Sequence, residues 1–178
     1  MNDTPSAVPP TARTVFTSPV HFVAFGFGAG LAPVAPGTFG TLVGMLFAWP
    51  LLHLGVSSYI GVIVCLFAIG CVVCGSSAQR LGMHDYGGIV FDEVVGYLIA
   101  ALPLLPAAGL VHDARLTGAA AAFLLFRLFD VWKPWPIRAL DRQVHGGVGI
   151  MLDDAVAGLL SALVLAVLGA SPRSFALP

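Results

Sequence analysis

Charge is what this chain lacks. It has 8 Lys and Arg and 9 Asp and Glu in 178 residues, and not one of them falls between Arg13 and Arg80. A soluble domain carries roughly 25% charged residues, against 10% here. With 58% apolar side chains and a mean hydropathy of +0.94, a soluble fold of this size would be left with apolar groups over its surface, so lipid is the expected solvent for much of it. The net charge of −1 removes any bulk attraction to nucleic acid or to an anionic surface. Cysteine is scarce too. Cys65, Cys71 and Cys74 share one apolar run, which excludes a disulfide framework of the secreted kind. Cys71-x-x-Cys74 has no second pair to complete a metal site and reads as small residues for helix packing. Residues 1–19, rich in Pro, Ser and Thr, lack the basic and apolar regions of a signal peptide and read as a disordered tail.

What is present is a series of apolar runs. From His21 to Leu31 the chain is apolar but Gly-rich, and Pro33, Pro36 and Gly37 interrupt it. Residues 20–36 are therefore expected to form a short or re-entrant segment rather than a span. Thr38 is the expected N-cap of a first helix running to about His53. Further helices are expected over Ser58–Gln79, Ile89–Leu105, Leu116–Trp132 and Met151–Leu168. Pro134 and Pro136 forbid continuation of the fourth, and residues 133–149 read as a polar, Gly-rich connection. The expected fold is all-α, a polytopic membrane helix bundle of about four to five transmembrane helices. It forms one domain over residues 20–170 with a short tail at 171–178.

Parity gathers the polar residues. If each helix crosses once, the start of the first, third and fifth and the end of the second and fourth share a side. Thr38, Arg80, Asp85, Asp92, Glu93, Arg127, Asp130, Lys133, Arg138, Asp141, His145, Asp153 and Asp154 all fall there. Asp3 and Asp113 are the acids left over. Basic residues in short loops favour the cytoplasm, and Arg80, Lys133, Arg138 and Arg142 place this side there.

An acid within a span costs about 2.5 kcal/mol or more at mid-bilayer. Helix-dipole capping, worth roughly 0.3–1 kcal/mol each, accounts for acids at helix starts: Asp92, Glu93, Asp153 and Asp154. It does not account for Asp130 at a helix end, where an anion opposes the dipole. Arg127 one turn earlier and a bound metal are the two ways to offset it. With oxygen donors and no Cys/His set, the metal implied is hard, and Mg2+ fits. It would neutralise a phosphate and lower the pKa of an attacking water. Arg127, Lys133 and Arg138 supply cations for phosphate oxygens. Thr38, in Pro36-Gly37-Thr38-Phe39-Gly40, could add a backbone N–H at a helix start, with close helix packing the alternative role for those glycines. His84 and His145 are either general acids for the leaving alkoxide or ordinary interfacial histidines.

The blocks Ala35-Pro-Gly-Thr-Phe-Gly40, Val90-Phe-Asp-Glu-Val-Val-Gly96, Phe126-Arg-Leu-Phe-Asp-Val-Trp-Lys-Pro-Trp-Pro-Ile-Arg138 and His145-Gly-Gly-Val-Gly-Ile-Met-Leu-Asp-Asp-Ala-Val-Ala-Gly158 closely resemble the phosphatidylglycerophosphatase A family. The resemblance covers roughly His21 to Leu168. It implies a bacterial inner-membrane, magnesium-dependent phosphatase that removes the terminal phosphate of phosphatidylglycerophosphate during phospholipid synthesis. The family's motif positions carry over onto Asp92, Glu93, Arg127, Asp130, Lys133, Arg138, Asp153 and Asp154. The expectation is thus Asp92, Glu93, Asp130 and Asp154 as catalytic residues, and Glu93, Asp130, Asp153 and Asp154 as metal ligands. Thr38, Arg127, Lys133, Arg138 and His145 are the expected phosphate contacts.

Motifs of other phosphatases are missing: no Asp-x-Asp-x-Thr, no Cys-x5-Arg, no paired Ser-Arg and His motifs. Direct attack by metal-activated water is therefore expected over a covalent phosphoenzyme. Two other readings are a lipid phosphotransferase, whose Asp-Gly-x2-Ala-Arg signature is missing, and a small transporter. A transporter should show paired halves and charges near mid-membrane, and the acids here gather at one end.

Overall fold

The computed structural model describes residues 10–83, 86–109 and 112–169, with the side chains of 106–109, 112–115 and 141 left out; His84, Asp85 and residues 170–178 fall outside it. Among the described residues there are helices and no strand. The helices are α1 (Ala12–Thr17), α2 (Pro19–Ala24), α3 (Pro36–Leu51), α4 (Val56–Leu81), α5 (Phe91–Ala100), α6 (His112–Trp132), α7 (Ile137–Gln143) and α8 (Gly146–Gly169). Two 3-10 segments, Gly26–Leu31 and Leu102–Gly109, join them.

Two helices, α4 and α8, are long and apolar enough to cross a membrane. The third expected helix is not continuous over Ile89–Leu105. Its α-helical part ends at Ala100 and the chain goes on as a 3-10 segment, because Pro103 and Pro106 have no N–H to give to the i−4 ladder. What remains, about 15 Å long at 1.5 Å per residue, is the centre of the molecule. Phe91 and every residue from Val94 to Ala100 are buried, and α3, α4, α6 and α8 all pack on it. An all-round apolar helix belongs in such a place. Its neighbours come close through small residues. A Cβ on Gly44 of α3 would lie 2.8 Å from Val94 O, and one on Gly158 of α8 would collide with Gly96 O. Tyr59 and Tyr97 satisfy their hydroxyls inside the bundle, donating to Leu98 O at 2.9 Å and to Ala119 O at 3.1 Å.

Other sequence expectations shift at the element ends. The expected disordered tail meets an ordered α1, whose N-cap Thr11 accepts from Thr14 N–H at 3.3 Å and whose Val15 is fully buried; residues 1–9 are outside the description. Helix α3 starts at Pro36, not after a Thr38 cap. Ala35 takes a left-handed conformation (φ 49°) and Pro36 occupies the first turn, where its missing N–H costs nothing. The polar connection after α6 contains α7, anchored by the buried Ile137. Helix α8 begins at Gly146, five residues earlier than expected, since Gly147 lets α8 press against the Cys71 carbonyl of α4. The Gly-rich segment before α3 is not one continuous helix. Gly26, Phe27 and Gly28 have positive φ, Gly30 abuts the Gly88 carbonyl, and Val90 N–H donates to Ala24 O at 2.9 Å.

The outer faces are apolar. Leu46 of α3, Val64 and Val72 of α4, Leu124 and Val131 of α6, and Leu163 and Val167 of α8 are each more than 60% exposed, far beyond the scattered apolar residues of a soluble surface.

Candidate active site

Three helices deliver acids to one place. The first turn of α5 carries Asp92 and Glu93, the last turns of α6 carry Arg127 and Asp130, and α8 contributes Asp153 and Asp154. The carboxylates of Asp92, Glu93 and Asp154 each offer an oxygen within 4.8 Å of the others. Asp130 lies within electrostatic reach of Glu93 and Asp154. Because α8 starts at Gly146, Asp153 and Asp154 sit two turns inside the helix, beyond the reach of its dipole. Capping therefore does not explain them.

The cations are distributed one by one. Arg127 Nη1 donates to Asp130 Oδ2, so the partner one turn earlier does offset the acid at the end of α6, and Asp130 by itself does not require a metal. Lys133 Nζ donates to Asp153 Oδ2 at 2.6 Å. Lys133 leaves the helix with φ 44°, a conformation uncommon for a side-chain-bearing residue, and this turn aims it back at α8. Arg138 reaches Trp132 O at 3.4 Å instead. His145 is exposed between α7 and α8, and Thr38 is half-buried in the first turn of α3.

The acid group itself is left with polar atoms to satisfy. Glu93 Oε2 and Asp154 Oδ2 are buried and accept no hydrogen bond, a costly state for a carboxylate unless a cation meets it. The residues therefore fit a hard divalent cation held by Asp92, Glu93 and Asp154. The sequence expectation named Asp130 and Asp153 among the ligands and gave Asp92 a catalytic role; here one oxygen of Asp130 meets Arg127 and one of Asp153 meets Lys133, while Asp153 Oδ1 is buried without a hydrogen bond like those of Glu93 and Asp154.

Gly37 is a site residue that sequence reasoning credited with a backbone amide or with close helix packing. A Cβ there would collide with Glu93 Oε1 and stand 3.1 Å from Arg127 Nη1, so the glycine makes room for a carboxylate and a guanidinium side by side. The Pro36-Gly37-Thr38 motif marked the position, but not this role. His21 was missed as well. It is buried and its Nδ1 lies 2.8 Å from Ser77 Oγ, tying α2 to α4.

The family profile described as Phosphatidylglycerophosphatase A matches residues 22–169. The chain is 43% identical over 158 residues to the Phosphatidylglycerophosphatase A of Escherichia coli (strain K12), covering 89% of this chain and 88% of the relative. It is 39% identical over 159 residues to that of Haemophilus influenzae, covering 88% and 92%. It is also 34% identical over 148 residues to a protein of Bacteroides thetaiotaomicron named Putative phosphatidylinositol-3-phosphatase, covering 80% and 88%. No solved structure gives a significant match. The match takes in α3 to α8 whole, with every acid and cation of the site, and on that extent the chain belongs to the phosphatidylglycerophosphatase A family.

Proposed function

We propose that this protein hydrolyses the terminal phosphomonoester of phosphatidylglycerophosphate, giving phosphatidylglycerol and phosphate in phospholipid synthesis. The observation that carries the reading is the buried group of Asp92, Glu93 and Asp154, with two carboxylate oxygens left unmet, in a chain of this family. Asp92, Glu93 and Asp154 would hold Mg2+, which when bound would supply positive charge against the phosphate and lower the pKa of water. Arg127, fixed by Asp130, and Lys133, fixed by Asp153, bind non-bridging oxygens of the phosphate. Asp130, beside Asp154 and held by Arg127, is the carboxylate that takes a proton from the attacking water.

The site serves a lipid because the bundle is embedded in one. Helices α4 and α8 have the length and apolar character to cross the membrane, and on this reading α3 and α6, whose outward faces are also apolar, cross beside them, with α5 and its 3-10 continuation as an inner fifth segment. Residues 12–35 form an interfacial cap that does not cross. The ends bearing Arg80, Lys133, Arg138 and Arg142 face the cytoplasm of a bacterial inner membrane.

The test is phosphate release by the purified protein in detergent, from phosphatidylglycerophosphate and from phosphatidylinositol 3-phosphate, with Mg2+ and with EDTA. Release from the glycerol lipid that EDTA abolishes, and that Asp154→Asn or Glu93→Gln lowers at least 100-fold, is expected. Undiminished release in EDTA refutes the cation's role, and preference for the inositol lipid refutes the substrate.

A further inference from the structure

Beside the acid group, α6, α7 and the turn between them line an open cleft of about 400 Å³ that shares only Lys133 with the proposed chemistry. Lys133, Arg138 and Arg142 line it together with Trp132 and Trp135, and no acid lines it among the described residues. Lys133 is offset by Asp153, which among the described residues leaves the two guanidiniums as the surplus charge of the cleft. They are four residues apart on α7, so they project from one face, and both are exposed where Ile137 is buried. Lys133 connects the two places, since it lines the cleft while bonding to the residue next to Asp154. Trp132 and Trp135 are 62% and 84% exposed, as suits rings at a membrane interface.

We infer that this cleft is the subsite for the second phosphate of the lipid, the phosphodiester that joins the head group to diacylglycerol, with Arg138 and Arg142 gripping its two non-bridging oxygens. The inference rests on the substrate proposed above. Arginine forks match a pair of phosphate oxygens, and a phosphodiester is always an anion at neutral pH. With the diester held here, Lys133 stands between the two phosphates, the monoester lies at the acids, and the acyl chains leave past the tryptophans into lipid. Binding at this distance from the reacting phosphorus orients the substrate without touching the chemistry.

The experiment uses the full chain in neutral detergent micelles and compares wild type, Arg142→Ala and Arg142→Lys. Arg142 is exposed, so the thermal midpoint should not move. The expected result for Arg142→Ala is a KM for phosphatidylglycerophosphate raised at least fivefold with a smaller change in kcat. Inhibition by phosphatidylglycerol, which carries the diester and no monoester, should weaken by the same factor, and inhibition by inorganic phosphate should not change. Arg142→Lys should lie between. An unchanged KM, a wild type that phosphatidylglycerol does not inhibit, or equal weakening of inhibition by inorganic phosphate overturns the subsite. A wild type inactive on phosphatidylglycerophosphate overturns the substrate reading and the subsite with it, whereas an active wild type with an indifferent Arg142→Ala overturns the subsite alone.

Discussion

Replacing Gly37 by alanine should separate stability from activity. The new methyl would overlap Glu93 Oε1 and stand 3.1 Å from Arg127 Nη1. Both are far ends of flexible side chains, so the backbone need not move, and the Glu93 carboxylate must withdraw by roughly 1 Å to restore van der Waals distance. Folding hardly feels this. Alanine in place of glycine in a helix favours the fold by up to about 1 kcal/mol, a little less here because position 37 lies in the first turn. Activity feels it fully, because a misplacement of about 1 Å among reacting groups costs about 100-fold. Glu93 is also one of the three carboxylates gathered within 4.8 Å. The assay pairs a thermal melt in detergent with phosphate release from phosphatidylglycerophosphate. The expected Gly37→Ala protein melts at or slightly above the wild-type temperature and turns over about 100-fold more slowly. Activity within threefold of wild type would show that the Glu93 position is not critical and refute the reasoning.

Three further outcomes are expected. Lys133→Met strips the lysine from Asp153, whose side chain is only 11% exposed, and should cost about 3 kcal/mol in a denaturant titration; adding Asp153→Leu should recover most of the stability and none of the activity. Gly158→Ala sets a methyl against the Gly96 carbonyl and 3.0 Å from Ile99 Cβ; backbone cannot yield as a side-chain tip can, so about 1–3 kcal/mol should be lost, and a melt unchanged from wild type would contradict the close α5–α8 packing. Burial first, and the nearby Arg80 second, hold the His21 imidazole below its ordinary pKa. The neutral form is then favoured by folding, so its contribution is present above about pH 6.5 and lost as pH falls below that value. Melts from pH 7.5 down to 5 should show the loss in wild type and a smaller one in His21→Gln, and equal slopes would exclude it.

The sequence was most informative where physics leaves few options. A chain with no formal charge between Arg13 and Arg80 must hide its backbone in helices if lipid surrounds it, and α4 appears within two residues of its expected ends. Parity likewise brought the starts of α5 and α8 and the end of α6 together, as found. Element ends were harder to read. The start of α3 depended on a left-handed Ala35, and the start of α8 on glycines that look like loop until a neighbouring carbonyl is known to press on them. The pairing of charges was legible only in part. Arg127 and Asp130 are three apart on one helix, so their contact could be foreseen; Lys133 meets Asp153 across twenty residues, through a turn no local pattern announces. The grouping of Asp92 with Glu93 and Asp154 also depends on side-chain directions at a three-helix junction, which periodicity does not supply.

The central position of α5 carries a consequence for biosynthesis. Helices α4 and α8 are long and apolar enough to enter a bilayer on their own. The ten α-helical residues of α5 cover about 15 Å, half of the roughly 30 Å hydrocarbon core, and are stable there only when other helices enclose them. Asp92 and Glu93 leave the ribosome long before Asp154, which α8 supplies. Until α8 packs against α5, the nascent chain has two acids and no third to complete the group, so the site is assembled by association of helices and not by any one of them.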